Sequence, residues 1–160
     1  MRKGPEVLTD GPQTVAGVVD LHDWTPPDKR TWALEADYGQ RAYAKALGRY
    51  GDSFGDVRVI AQVMHKQGDG FRDMRFEATD ALLKVGLPVG PSGDLVLRGV
   101  FYDETSHTTY VGMTNPMFLA NPRQPTVAPD DLFGIRRYEA SAKHTHRFSP
   151  KVELVTKLRR

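Results

Sequence analysis

The chain has 160 residues, of which 39% are hydrophobic and 26% are charged, which is enough for one domain and too short for two. The sequence contains no cysteine, which excludes disulfides, thiolate metal sites and a cysteine nucleophile. No apolar run approaches the roughly 18 residues of a membrane-spanning helix, and the first residues lack the apolar core of a signal peptide. We therefore expect a cytoplasmic protein with no membrane partner.

The formal net charge of +2 is unevenly distributed along the chain. Residues 136–160 contain eight Lys or Arg and two Glu, a net charge of +6, so the other 135 residues carry −4. A basic end on a mildly acidic body favours an acidic partner such as nucleic acid, an anionic membrane or an acidic protein. Alternatively, these basic residues form a solvated tail that keeps the protein in solution.

The first two segments are predicted to be an arm and a helix. Residues 1–30 hold four of the eleven prolines and predict an extended arm, in which the apolar run 15–19 forms a strand or packs across a partner. Aromatic and apolar side chains recur at helical spacing over residues 31–50, and Gly51 follows as a helix stop.

Two further helices are predicted before the middle of the chain. Residues 57–67 alternate as a strand would, but they also form a helical face, which we prefer because the flanking segments are predicted to be helical. Residues 72–85 place Ala78, Leu82 and other apolar residues on one helical face, with Gly86 beyond its end.

The second half of the chain is harder to assign. Residues 95–102 fit either a short helix capped by Ser92 or the first strand of a hairpin that returns at 108–111. Repeated X-Pro pairs predict that residues 115–160 form an extended, Pro-rich and basic tail. The chain is thus predicted to be mainly α, with a helical module and short β-ribbon over 31–114 between two extended arms.

Residues 57–114 resemble an EF-hand pair whose loops are degenerate. A Gly-Asp-Gly turn at 68–70 lies between two predicted helices, a second loop begins near Tyr102, and Tyr110 occupies the position that pairs the loops. The resemblance implies a four-helix core. The ligand positions do not support calcium binding, since the first loop keeps only the carboxylate of Asp69.

No complete catalytic or cofactor motif is present. Neither GxGxxG nor GxxxxGK[ST] occurs, and no acid/base pair is marked by its spacing. His144 and His146 share a strand face but lack further ligands, so surface histidines are the better interpretation. We expect no enzyme activity, no cofactor, no metal and no small-molecule substrate.

The candidate binding residues are apolar side chains in Pro-flanked segments and arginines of the basic end. A Pro-flanked segment is already extended and loses little entropy on docking, although it could equally fold back over its own helices. The predicted partner-binding residues are Met117, Phe118, Leu119, Phe148, Arg136, Arg137, Arg159 and Arg160.

These patterns favour a non-enzymatic structural or adaptor protein that docks on a larger assembly. A degenerate EF-hand-like core with Pro-rich arms and small aromatic anchors resembles the microtubule inner proteins of cilia and flagella. That resemblance implies tubulin or other axonemal proteins as partners and a location in the axoneme. The alternatives are a winged-helix-like nucleic-acid-binding protein, with helices at 31–50, 57–67 and 72–85, and a phage or virion structural component.

Overall fold

The computed structural model describes residues 24–160, and seven strands of this region form one antiparallel sheet. The strands follow one another in chain order, so the first and last are the edges of the sheet. The elements are β1 (Thr31–Tyr38), β2 (Ala44–Phe54), β3 (Val57–Gly68), β4 (Phe76–Val89), β5 (Gly93–Ser106), α1 (Asn115–Ala120), β6 (Phe133–Ser149) and β7 (Val152–Arg159). The arm expected over residues 1–23, with its apolar run, lies outside the described residues.

The mainly α prediction is wrong, because α1 is the only α-helix among residues 24–160. The helices predicted over 31–50, 57–67 and 72–85 are replaced by strands β1 to β4. A spacing of four residues puts two side chains on one face of a helix, but it also puts them on one face of a strand. Ala78 and Leu82 therefore satisfy both periods, and pairing with neighbouring strands decides between them.

The EF-hand resemblance is also wrong, because residues 57–114 contain three strands instead of four helices. The Gly-Asp-Gly turn lies in the connection between β3 and β4, where Gly70 has a positive φ of 65°. The likeness to ciliary microtubule inner proteins depended on that helical core, so the axonemal location and tubulin partners it implied lose their basis. The winged-helix alternative loses its three helices in the same way.

After residue 92 the structure agrees with the strand alternative for 95–102, but not with its predicted hairpin partner or with the extended tail. Residues 95–102 are part of β5, and this strand pairs with β6 rather than with 108–111. The predicted basic tail contains β6 and β7, two strands of the sheet. The Asn-Pro pair expected to exclude a helix begins α1, because proline is tolerated in a first helical turn and the Thr114 hydroxyl accepts from the Met117 amide at 3.5 Å.

The two ends of the sheet are connected differently. At one end, which we call the turn end, residues 55–56, 90–92 and 150–151 join successive strands. At the other, which we call the loop end, the connections are longer and span 39–43, 69–75 and 107–132. Gly55 and Gly90 have positive φ angles of 63° and 66°, which suit the tight connections at the turn end.

The two faces of the sheet differ in composition and in burial. Residues paired across neighbouring strands point to the same side, so the register assigns every side chain to one face. The charged face carries most of the Lys, Arg, Asp and Glu of the strands, and the apolar face is the opposite one. The buried hydrophobic side chains, Ile60, Ala78, Leu82 and Val100, all lie on the charged face.

The segment before β1 explains part of that burial. The Lys84 ammonium group donates to the Trp24 carbonyl oxygen at 2.8 Å, and the Arg49 guanidinium carbon lies 4.2 Å from the Trp24 ring centroid. Both cations project from the charged face, so the chain crosses that face before it enters β1. No described segment crosses the apolar face in this way.

Candidate functional site

The central strands present an unbroken series of apolar residues on the apolar face. Alternate positions over 57–63 of β3, 81–89 of β4 and 95–101 of β5 are Val, Leu, Ala, Gly or Phe without exception. These strands carry polar and charged residues at many of the intervening positions. Such alternation is typical of a sheet whose two faces meet different surroundings.

The side chains of this face are exposed. Leu83, at the centre of the sheet, is 49% exposed and Leu158 on β7 is 74% exposed. Small residues such as Ala61, Gly99 and Ala140 leave a shallow depression of about 670 Å³ between the larger side chains. A continuous exposed apolar surface of this kind marks a site of interaction.

The apolar residues form a band that runs obliquely across the strands. At the loop-end border, the band begins at Tyr38 on β1, which pairs with Ala44 on β2. On β7 the band begins at Leu158. Following the pairings from strand to strand places Leu158 level with Asp52 on β2. Asp52 lies eight residues further along β2 than Ala44. Eight residues correspond to about 26 Å and the six strand spacings to about 29 Å, so the border of the band has an average inclination of about 40° between the two edge strands.

The four intermediate strands share one level. On β3 to β6 the loop-end border of the band lies at Val63, Ala81, Phe101 and Tyr138, all level with Gly48. This level is half-way between those of β2 and β7. The border is therefore displaced in two steps of four residues, between β2 and β3 and between β6 and β7.

Polar residues border the band at both ends. At the loop end, Arg136 makes two hydrogen bonds to Asp103, at 3.0 and 2.6 Å, and the Thr79 hydroxyl lies 3.0 Å from His65 Nδ1. His144 and His146 lie at the turn-end border on β6.

Asp52 marks the turn-end border on β2, and its charge is fully compensated. Its carboxylate is buried and accepts from Arg30 Nε at 2.8 Å, from the Tyr50 hydroxyl at 2.7 Å and from the Ser53 amide at 2.9 Å. The hydrogen bond to Asp52 raises the pKa of Arg30, which lies just before β1. The pair therefore remains ionised at neutral pH.

The charged face is organised by ion pairs between strands, most of them neighbours in the sheet. Arg58 donates to Asp94 at 2.7 Å, and Lys45 contacts Glu35 and Asp37. On β5 to β7, Glu139 receives two guanidinium groups, from Arg98 and from Arg159. The long stems of these side chains cover the apolar residues beneath them.

The residues predicted to bind a partner do not form one site. Met117, Phe118 and Leu119 belong to α1 at the loop end, where Phe118 and Leu119 are exposed on a helix rather than on an extended segment. Phe148 packs at 4.5 Å against His146 at the turn end.

The four predicted arginines are also dispersed. Arg136 borders the apolar face, and Arg137 lies on the charged face 5.9 Å from the Tyr102 ring centroid. Arg159 pairs with Glu139, and the Arg160 amide donates to the Ala140 carbonyl at 3.0 Å. The structure thus separates them between both faces and one edge of the sheet.

The apolar face is not among the predictions from the sequence. Its signal is the alternation over 57–63, 81–89 and 95–101, and the first two runs also fit a helical period over much of their length. Among residues 24–160 there is no group of three or more His, Asp or Glu that could hold a metal ion.

Comparison with known proteins adds no assignment. No protein-family model matches the chain, and neither a curated protein nor a solved structure is significantly similar to it. In the part of the chain that the structure describes, no helix has the length and apolar character required to cross a membrane.

Proposed function

We propose that the chain is a non-enzymatic structural protein whose sheet forms part of a wall across a lipid bilayer, with the apolar face against the hydrocarbon. The observation that carries this proposal is the oblique apolar band. Membrane-spanning strands are inclined by about 35–45° to the bilayer normal and alternate between lipid-facing apolar and inward polar residues. The average inclination of about 40° between the edge strands β1 and β7 falls within that range, and the border is level across β3 to β6.

The height of the band supports the same proposal. The apolar positions of β6 extend from Tyr138 to Ala142, about 13 Å, and those of β4, the longest run, extend from Ala81 to Val89, about 26 Å along the strand. An inclination of about 40° reduces this to about 20 Å, and the side chains at each border extend it further. The lipid-facing band of strand-built membrane proteins is about 25 Å tall.

The edges of the sheet indicate that the protein works within a larger assembly. Every inner strand is hydrogen-bonded on both sides, whereas within residues 24–160 β1 and β7 each present one unpaired edge. Unpaired backbone groups are not tolerated in hydrocarbon, so a membrane wall requires further strands at both edges. This requirement retains the expected docking on a larger assembly and replaces the expectation that the protein has no membrane partner.

A partner protein packed against the apolar face is the competing explanation. A second sheet would cover the same side chains and is a common solution for an amphipathic sheet. The polar residues at both ends of the band are the feature that favours lipid, because a membrane has a polar boundary on each side.

The two tryptophans of the chain allow a direct test, because they lie on opposite faces. Trp32 projects from the apolar face and is 71% exposed, whereas Trp24 packs on the charged face and is 60% exposed. The full chain is reconstituted into phosphatidylcholine vesicles with and without brominated acyl chains. The variants Trp24→Phe and Trp32→Phe each report the fluorescence of the remaining tryptophan.

Bromine in the acyl region should quench Trp32 strongly and Trp24 weakly. The similar exposure of the two residues makes each the control for the other. Equal quenching of both, or a chain that remains in the aqueous fraction, would contradict the proposal in favour of a protein partner.

A further inference from the structure

Two pairs of lysines face each other directly across neighbouring strands of the charged face. Lys45 on β2 pairs with Lys66 on β3, and Lys143 on β6 pairs with Lys157 on β7. Like charges at directly opposed positions destabilise a sheet unless something compensates them. The two pairs differ in how they are compensated.

The first pair is neutralised by β1. The Lys45 ammonium group contacts the Glu35 carboxylate and lies 3.0 Å from an oxygen of Asp37. Two carboxylates therefore balance the charges of Lys45 and Lys66, and this part of the charged face carries no excess charge.

The second pair has no such neutralisation. Within residues 24–160, neither Lys143 nor Lys157 has a carboxylate within ion-pair distance, and both side chains are exposed. The nearest carboxylate along β6 is Glu139, which is shared by the guanidinium groups of Arg98 and Arg159.

The register brings these cations together. Ser141 pairs with Arg98 on one side and with Arg159 on the other, and the pair of Lys143 and Lys157 is the next row on the same face. Neighbouring rows on one face are about 7 Å apart. Four cations thus surround one hydroxyl with a single carboxylate among them.

We propose that this β6–β7 cation cluster, formed by Ser141, Lys143, Lys157 and Arg159, binds a multivalent oxyanion, a solute with two or more carboxylate or phosphate groups. Ammonium and guanidinium groups make short, charge-assisted hydrogen bonds to such oxygens, and the Ser141 hydroxyl can donate a further one. Two lysines and an arginine can contact separate acidic groups of one solute. The inference concerns the charged face and does not depend on what covers the apolar face.

The test titrates the full chain in detergent micelles with pyrophosphate and, separately, with propane-1,2,3-tricarboxylate, by calorimetry at low and at physiological ionic strength. We expect saturable binding of at least one of the two probes, weakened by added salt. Lys143→Gln combined with Lys157→Gln should weaken that binding about tenfold or more, the contribution of one charge-assisted hydrogen bond. The probe that binds more tightly identifies the acidic group that the site prefers.

The Lys45→Gln and Lys66→Gln double variant is the matched control, because it removes the other opposed lysine pair from the same face. It should bind as the unchanged chain does, and Lys143→Arg with Lys157→Arg should retain binding. The proposal is overturned if neither probe saturates, or if the two Lys→Gln double variants lose affinity equally. Far-UV circular dichroism verifies that all variants keep the sheet.

Discussion

The charged face of the sheet covers its apolar side chains, whereas the apolar face leaves its own exposed. Leu82 and Leu83 are neighbours in β4, yet Leu82 is 9% exposed on the charged face and Leu83 is 49% exposed on the apolar face. Long charged side chains and the segment around Trp24 overlie Leu82. The residues around Leu83 are mostly short, so the burial of that face has to come from outside the sheet.

This contrast separates stability from interaction. Buried side chains on the charged face contribute to folding whatever surrounds the protein, since their contacts are internal. Side chains on the apolar face contribute only in an environment that removes them from water. Substitutions at matched positions on the two faces therefore test the assignment.

The largest effect is expected when Leu82 and Leu83 are each replaced by alanine. Leu82→Ala should lower the free energy of unfolding by about 2–5 kcal/mol, because it leaves a cavity among buried side chains. Leu83→Ala should lower it by less than about 1 kcal/mol, the range of surface substitutions. Urea unfolding in detergent-free buffer, where the apolar face is in contact with water, measures both, and equal losses would show that the faces are wrongly distinguished.

A charge placed on the apolar face should act through the membrane. Leu83→Arg should destabilise the protein in vesicles by about 2–4 kcal/mol, the cost of an arginine at the centre of the lipid-facing band. Thr145→Arg, on the charged face, should change the free energy of unfolding by less than about 0.5 kcal/mol. If Leu83→Arg inserts and unfolds as the unchanged chain does, the apolar face does not contact hydrocarbon.

Replacing Glu139, whose carboxylate is shared by two arginines of the charged face, should have an intermediate effect on stability. The Glu139 side chain is 11% exposed and lies between Arg98 and Arg159. Glu139→Gln keeps the shape but leaves two guanidinium groups without their common partner, and we expect a loss of about 1–2 kcal/mol that shrinks as salt is added. If the loss of unfolding free energy is the same at 0.05 M and 0.5 M salt, the effect of Glu139→Gln comes from packing instead of from charge.

The smallest effect concerns a glycine in the depression of the apolar face. No atom lies within 4 Å of a Cβ built on Gly99, and its φ is not positive. Gly99→Ala should be neutral or stabilise the sheet by about 0.5 kcal/mol, because glycine is unfavourable inside a strand. Gly55→Ala is the counterpart at the turn end, where a φ of 63° makes alanine cost about 1 kcal/mol. The melting temperature should therefore fall for Gly55→Ala, and it should rise or stay unchanged for Gly99→Ala.

Several local features could be predicted from the sequence. The alternation over 57–63 indicates a strand, and a strand is one of two interpretations of 95–102. The excess of cations after residue 136 is visible in the sequence, but it lies on two strands and not on a tail. The residues predicted for docking follow from neighbouring prolines or from positive charge, and neither criterion identifies the apolar face.

The sequence by itself determined the absence of thiol chemistry, the break at the Gly-Asp-Gly of residues 68–70 and the alternation over 57–63. Only the tertiary structure decided between a helical and a strand period, because Ala78 and Leu82 share a face in either. It also decided which residues become neighbours, as with Lys143 and Lys157, which are fourteen positions apart in the chain and directly opposed in the sheet. Strand pairing is non-local, so the faces, the inclined band and the cation cluster exist only once the register is set.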